Sequence, residues 1–265
     1  MGLSPKDAVI DVGYASDRGQ VRENNEDALI VAPPLFMVAD GMGGHLAGEV
    51  ASRIAVESMA QDLSAEETAQ LGLQELVDRA DVAIRDETLG LAGTTVTGVV
   101  LRNPDDQLVW QVFNVGDSRT YLYRGEELTQ VTEDHSQVQE MVKRGQITPA
   151  EALVHPRRNV VTRAVGTGGD HEVEAWDIPA EDGDRILVCS DGLTNEVADK
   201  VIAKLLKENS GAQDATDALI EAAMKSGARD NVSVIVIGVD ASGGDGEAAD
   251  SEGAAADSAT QDSEA

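Results

Sequence analysis

The chain has 265 residues, of which 26% are charged and 42% hydrophobic, and these proportions predict one large soluble domain with a substantial core. Its formal net charge is -29 with only 20 Lys and Arg residues, which argues against a protein that binds nucleic acid or an anionic membrane, because both are held by clustered basic side chains. No apolar run is long enough to span a bilayer, and the N-terminal residues lack the layout of a secretion signal. Since the lone Cys189 cannot form an internal disulfide either, we expect a cytoplasmic protein.

The composition changes sharply at the C-terminal end. Residues 241–265 consist almost wholly of Ala, Gly, Ser, Asp and Glu, and include seven acidic residues and no basic one. Because nothing there can be buried, we predict a disordered acidic tail after a folded domain over residues 1–240. Taking these seven charges from -29 leaves about -22, so the folded part is acidic too, which is most simply explained by solubility.

The predicted elements of the first half begin with three strands, at residues 8–14, 28–32 and 35–39. An amphipathic helix follows, because small and apolar residues recur at helical spacing from Ala47 to Met59. A second helix is predicted to run to about Leu89 from a capping box formed by Ser64 and Glu67.

The second half alternates between strands and helices. Strands are predicted at 96–101, 108–115, 120–123, 172–178, 185–189 and 232–239, and helices at 135–144, 148–153, 196–208 and 213–225. Runs of strands interleaved with helix pairs, with few clean βαβ units, indicate an α+β fold: a central β-sandwich of two antiparallel sheets flanked by helices.

Three aspartates lie where apolar, strand-like runs meet turns: Asp40 in FMVADGMGG, Asp191 in ILVCSDGL and Asp230 in ARDNVSVIVIG. Carboxylate oxygens suit magnesium, manganese or calcium rather than zinc, and no His or Cys ligand spacing is present. Taken singly, each of these aspartates could equally be a turn residue.

Six motifs occur in order: SDRGQVRENNED, VADGMGG, NVGDSR, RNVVTRAVG, CSDGL and ARDN. Together they closely resemble the type 2C, metal-dependent (PPM) protein serine/threonine phosphatases, especially the bacterial members, from about residue 12 to residue 239. The resemblance implies the sandwich fold predicted above. It also implies hydrolysis of phosphoserine and phosphothreonine on proteins by water activated between two Mn²⁺ or Mg²⁺ ions.

The same resemblance assigns roles to individual residues. It implies that Asp40 bridges the two ions, that Gly41 lends its carbonyl, and that Asp191 and Asp230 complete the shell of the first ion. Arg22 matches the arginine that binds the substrate phosphate, for which the alternative is a surface ion pair with Glu23 or Glu26.

Further roles follow by motif. Glu26 and Asp27 fall near the second ion, which they would contact directly or through water. Asp117 corresponds to a third, weaker metal site shared with Asp191, with a plain turn aspartate as the alternative. Residues 136–163 correspond to the variable flap beside the site.

One position departs from the family pattern. Met42 stands where some members carry a histidine that can act as general acid, so no side-chain proton donor is assigned. His45 more simply starts the following helix, and Cys189 is expected to be a small buried strand residue. A cysteine-phosphatase loop would need an arginine where Asn195 stands.

Two rival functions remain open at this point. One is a noncatalytic signalling module that has kept the fold, and the other is a phosphatase dedicated to one regulatory partner, as in sigma-factor control. The implied partners are phosphorylated proteins, and a serine/threonine kinase is expected among them only by analogy.

Overall fold

The computed structural model describes residues 3–43, 47–61 and 72–241. The strands in these ranges are β1 Ala8–Asp17, β2 Asp27–Ala32, β3 Leu35–Gly43, β4 Ala92–Thr94, β5 Val96–Arg102, β6 Val109–Val115, β7 Arg119–Arg124, β8 Glu127–Gln130, β9 Glu174–Pro179, β10 Asp184–Cys189 and β11 Val232–Ala241. The helices are α1 Ala47–Gln61, α2 Leu73–Thr88, α3 Gln137–Lys143, α4 Pro149–Ala152, α5 Asp191–Thr194, α6 Asp199–Glu208 and α7 Ala212–Ser226.

The strands form two sheets. One has the order β1-β11-β10-β7-β8, and the other has the order β2-β3-β5-β6-β9 with β4 paired to β3. Each strand pairing within the described part of the chain is antiparallel. The predicted fold class is therefore confirmed.

Three apolar clusters define the layers. Trp110, Ile186 and Ile237 belong to the cluster between the two sheets. On the outer face of the β3 sheet, α1 and α2 contribute Met59 and Ile84, which are fully buried or nearly so. On the outer face of the β11 sheet, α6 and α7 bury residues such as Leu206 and Leu219. The order of layers is thus helix, sheet, sheet, helix, in which each sheet buries both faces.

Several elements differ from the sequence predictions. β4, β8 and α5 are short and were not predicted, because three or four residues are too few to show a periodic pattern. The helix predicted from residue 135 begins at Gln137, since the Ser136 side chain accepts the backbone N–H of Gln139 as an N-cap. β11 ends at Ala241, one residue beyond the predicted domain boundary.

Some predictions fall outside the described residues: the capping box at Ser64 and Glu67, the role of His45, and the tail from residue 242 onward. Cys189 is fully buried in β10, as predicted. In the described ranges, we find no helix with the length and apolar character needed to cross a bilayer.

Candidate metal centre

The predicted aspartates come together where the two sheets meet at one edge of the sandwich. Asp40 lies inside β3 rather than at its end, and it stands directly opposite Asp27 of β2 in the strand register. Asp191 is the first residue of α5, immediately after β10, while Asp230 lies two residues before β11. Asp117 lies in the turn between β6 and β7. Five separate chain segments therefore deliver one carboxylate each.

The electrostatics of these carboxylates show that they share one partly buried site. Burial, and then the charge of Asp191, raise the pKa of Asp117 to about 8. Burial raises the pKa of Asp27 to about 7, although the neighbouring hydroxyls of Ser233 and Ser190 lower it. Burial and the neighbouring Asp230 raise the pKa of Asp191 to about 6.

Asp40 has the most crowded surroundings of the group. Burial raises its pKa well above the ordinary value, and the charges of Asp27, Asp191, Asp117 and Asp230 add to that effect. The raised pKa values show that the nearby arginines do not offset the burial and repulsion of these carboxylates. Such a group is suited to a divalent cation, which favours the ionised forms.

The donor chemistry fits such a cation at Asp27. Its Oδ2 accepts a hydrogen bond from Ser190 Oγ at 2.8 Å, while its Oδ1 is buried without a partner among the described residues. A buried, unpaired carboxylate oxygen is costly and calls for a ligand. Within the described ranges, however, no three acidic, His or Cys side chains already surround one point as a coordination shell. The fit therefore rests on the oxygen donors and their shared charge.

The backbone around Asp40 is held by two threonines. Thr94 Oγ1 donates to the Asp40 carbonyl at 2.9 Å, and the backbone N–H of Thr95 donates to the same oxygen at 2.9 Å. Thr95 Oγ1 accepts the Asp40 N–H at 3.2 Å and also lies 2.8 Å from Ser118 Oγ. This buried network ties the Asp40 strand to the turn that carries Asp117.

Neighbouring backbone atoms crowd residue 41 so closely that only glycine fits there. A Cβ at this position would collide with the backbone of Gly48 in α1 and with the Glu26 carbonyl. The Gly41 N–H also donates to the Glu26 carbonyl at 3.1 Å. The glycine therefore allows this close packing against protein backbone.

Arg22 is paired with Asp230, and the alternative surface ion pair with Glu23 or Glu26 is not formed. Its Nη2 lies 2.7 Å from Asp230 Oδ2, and 49% of its side chain is exposed. The guanidinium thus stands at the mouth of the carboxylate cluster with one edge turned to an acidic ligand candidate. Glu26 lies nearby. Burial raises its pKa, and the charge of Arg22 offsets only part of that rise.

Asn231 holds the loop that carries Arg22. Its Oδ1 accepts the Glu26 N–H at 2.8 Å, and its Nδ2 donates to the carbonyls of Arg18 and Asn24 at 2.8 and 2.9 Å. Sequence reasoning did not single out this residue, although it follows Asp230 directly. Ser190 was missed in the same way beside Asp191, and in both cases adjacency to the aspartate was the available signal.

A groove of about 540 Å³ opens from Asp117 and Asp191. Arg119 lines the groove and forms a two-pronged ion pair with Asp134 at 2.9 and 2.7 Å. Residues of α3, of α4 and of the segment that follows α4 also line it. The predicted flap, residues 136–163, therefore forms one side of a groove that leads to the carboxylates.

Comparisons with known proteins identify the family of this chain. A family model described as Protein phosphatase 2C matches residues 17–231. The serine/threonine phosphatase stp of Listeria innocua is 36% identical over 239 residues, covering 84% of this chain and 94% of that protein. The serine/threonine protein phosphatase PstP of Mycobacterium tuberculosis is 41% identical over 232 residues, covering 84% of this chain and 44% of PstP.

Solved structures of serine/threonine phosphatases also superpose on this chain. The crystal structure of the M. tuberculosis serine/threonine phosphatase PstP/Ppp superposes with a TM-score of 0.76 at 38% identity, covering 88% of this chain and 99% of that one. A structure of the catalytic domain of PstP in complex with two manganese ions has a TM-score of 0.72 at 35% identity, covering 88% of this chain and 99% of that one.

Proposed function

Because this chain belongs to the protein phosphatase 2C family of metal-dependent serine/threonine phosphatases, we propose that its carboxylate cluster holds the divalent ions of that chemistry. The chain is a protein serine/threonine phosphatase, which hydrolyses phosphate monoesters on proteins. The observation that carries the metal assignment is the convergence of Asp27, Asp40, Asp117, Asp191 and Asp230 from five chain segments, where burial raises the pKa of the first four.

Each ligand has a proposed place. Asp40 would bridge two ions, the Gly41 carbonyl would join it, and Asp191 and Asp230 would complete the first ion's shell. Glu26 and Asp27 would serve the second ion, for which the unpaired Oδ1 of Asp27 is support. When bound, Mn²⁺ or Mg²⁺ supplies neutralisation of the phosphate charge and activation of water.

Protein side chains orient these ligands. Asn195 Nδ2 donates to Asp191 Oδ2 at 2.9 Å and fixes that carboxylate oxygen, which leaves the other oxygen of Asp191 free to bind a metal ion. Ser190 Oγ does the same for Asp27. Such partners set the direction of a ligand's lone pairs and favour the ionised form.

Arg22 is proposed to bind the phosphate of the substrate. Its planar guanidinium can donate two parallel hydrogen bonds to phosphate oxygens, which fixes the phosphorus beside the carboxylate cluster. The ion pair with Asp230 occupies Nη2 only, so donors remain for an anion. With Met42 in place of the family's histidine, we assign no side chain as proton donor to the leaving oxygen.

The wider assignment is a signalling role. We propose phosphorylated proteins as substrates, a serine/threonine kinase among them, and a cytoplasmic location, on the sequence features given above. No observation favours the noncatalytic module or the phosphatase restricted to sigma-factor control.

The test uses the full chain with nitrophenyl phosphate and a phosphothreonine peptide, with and without Mn²⁺. We expect both substrates to be hydrolysed only with the metal. Asp40→Asn and Asp191→Asn should lower turnover by several orders of magnitude while calorimetry shows weakened Mn²⁺ binding. An Asp40→Asn protein with near-native turnover and unchanged Mn²⁺ binding would contradict the assignment.

A further inference from the structure

A second cavity, the distal groove, opens at the end of the sandwich opposite the metal centre. Its volume is about 650 Å³, and small-molecule sites usually measure about 300–1,000 Å³. The first sheet contributes residues of β1, and the second contributes the turn between β2 and β3 and the end of β5. The apolar wall includes Pro5, Ile10, Pro33, Pro34, Leu101 and Pro104.

The strand register separates the distal groove from the carboxylates. Ala8 lines the groove and begins β1, whereas the other end of β1 pairs with the start of β11, close to Asp230. In the second sheet, Pro34 lines the groove and Asp40 follows six residues later, about 20 Å away at the usual rise of a strand. A ligand in the distal groove would therefore not touch the proposed metal centre.

The walls of the distal groove are tied together by backbone hydrogen bonds. The Leu101 N–H donates to the Pro34 carbonyl at 2.8 Å, and the Leu108 N–H donates to the Leu3 carbonyl at 2.8 Å. The four prolines of the wall further restrict the backbone. A surface that is formed in advance loses little conformational entropy when a ligand binds.

Arg102, the last residue of β5, gives the distal groove its charge. Among the described residues that line the groove, it is the only charged one. Its Nε is buried without a hydrogen-bond partner, and its guanidinium forms no ion pair with any residue that the structure describes. The acidic residues of the next turn, Asp105 and Asp106, do not line the groove. Because a buried donor without an acceptor is costly, this arginine calls for an anion.

Another arginine at the same end of the sandwich shows the arrangement that Arg102 lacks. Arg124 donates from Nε and from Nη2 to the two carboxylate oxygens of Asp184, at 2.6 Å each. An external carboxylate would supply such acceptors to the guanidinium of Arg102. In a chain of net charge -29, a monoanion is repelled less than a phosphate dianion, which favours a carboxylate as the ligand.

We propose that the distal groove binds a small amphiphilic carboxylate. The carboxylate lies at Arg102, and an aliphatic body lies against the proline-rich wall, where it is removed from water. This site is separate from the metal centre, and the inference does not depend on the phosphatase function.

Octanoate is the probe, with 1-octanol and acetate as controls that lack the charge and the apolar body, respectively. Each is titrated by calorimetry into the full chain with saturating Mn²⁺, and melting curves are recorded. We expect octanoate to bind at least about tenfold more tightly than either control, because only octanoate contacts both the arginine and the wall. Octanoate should raise the melting temperature and leave turnover of nitrophenyl phosphate unchanged.

Arg102→Met tests the role of the charge, because methionine keeps an apolar stem in the same place. The matched control is Lys6→Met, since Lys6 is exposed beside Pro5 but does not line the groove. We expect Arg102→Met to weaken octanoate binding at least about tenfold and to bind 1-octanol as well as the wild type does. Without a probe its melting temperature should stay the same or rise, because a buried unpaired donor is removed. Lys6→Met should bind octanoate within about twofold of the wild type.

Four results would overturn the proposal. The first is no octanoate binding by the wild type, and the second is an equal loss of binding in the two variants. The third is inhibition of turnover that Arg102→Met does not relieve, because the carboxylate would then lie on the catalytic ions. The fourth comes from deleting residues 242–265: tighter octanoate binding would show that this acidic segment occupies the groove, whereas unchanged binding supports an external ligand.

Discussion

The Nδ1 atom of His135 accepts a hydrogen bond from the backbone N–H of Gly116 at 3.0 Å, and the His135 N–H donates to the Gly116 carbonyl at 2.8 Å. Gly116 directly precedes Asp117, so this reciprocal pair links the residue before the flap to the turn that carries a proposed ligand. On the other side of the ring, Nε2 lies 3.4 Å from Glu174 Oε1. His135 is only 6% exposed, and burial and the charge of Arg163 lower its pKa.

Substitutions of His135 can distinguish the roles of its two ring nitrogens. Asn places an oxygen near the position of Nδ1, whereas Gln places its amide near Nε2. We expect His135→Asn to keep turnover on a phosphopeptide within about threefold of the wild type. His135→Gln leaves the buried Gly116 N–H unpaired, at a cost of about 1–3 kcal/mol, and should lower turnover about tenfold. Steady-state kinetics with melting temperatures for both variants check this, and equal losses would show that the Gly116 contact does not position Asp117.

The carboxylate cluster predicts an unusual pH dependence for the metal-free protein. The pKa values of Asp27 and Asp117 rise from 3.8 to about 7 and 8, and that of Asp40 also rises. Each group therefore keeps its proton to higher pH in the folded chain than in the unfolded one. The folded state binds more protons, so the free energy of unfolding falls as pH rises through this window, by up to about 1.4 kcal/mol per pH unit for each such group.

The measurement is a melting curve in EDTA between about pH 6.5 and 8.5. The lowered pKa of His135 acts with the opposite sign, but only below its ordinary value of 6.5, so this range avoids it. We expect the melting temperature to fall with rising pH in EDTA. Excess Mn²⁺ should abolish or reverse the fall, because the cation favours the ionised carboxylates. A flat curve in EDTA would contradict the electrostatic description of the site.

Arg22 provides a test of phosphate recognition. Arg22→Lys keeps the charge but loses the planar fork, and we expect kcat/KM to fall about tenfold and inhibition by inorganic phosphate to weaken. The exposed pair with Asp230 contributes only about 0–1 kcal/mol, so the melting temperature should change little. The control is Arg18→Lys in the same loop, since Arg18 Nη1 donates to the Glu23 carbonyl instead. Similar losses of kcat/KM in both variants would show that a change in the loop, rather than weaker phosphate binding, lowers the activity.

The sequence predicted the layers correctly, because alternating and helical apolar patterns identify the strands and helices that bury a face. Asp40, Asp191 and Asp230 were proposed as ligands because each stands within or beside such a run. The residues that orient these ligands leave no such signal. Thr95 reaches Asp40 and Ser118 across strands that are far apart in the chain, and only the sheet register brings them together.

Asp117 is the residue for which a structural and a catalytic role lead to opposite expectations. It lines the groove beside Asp191, and its carboxylate makes no side-chain hydrogen bond to another described residue. Burial and the charges of Asp191 and Asp134 raise its pKa, so in the metal-free protein this carboxylate is destabilising. A turn aspartate that caps backbone amides would instead stabilise the fold.

We expect Asp117→Ala to raise the melting temperature slightly in EDTA at pH 8. It should retain tight binding of the principal ions, since Asp40, Asp191 and Asp230 remain. Turnover on a phosphothreonine peptide should fall at least about tenfold, or about 1.4 kcal/mol on the barrier, because a third, weaker ion held with Asp191 would be lost. Calorimetric titration with Mn²⁺, melting curves and steady-state kinetics on both forms give the three readouts. A lower melting temperature with unchanged turnover would make Asp117 a turn residue, and loss of the tight sites would place it in the principal pair.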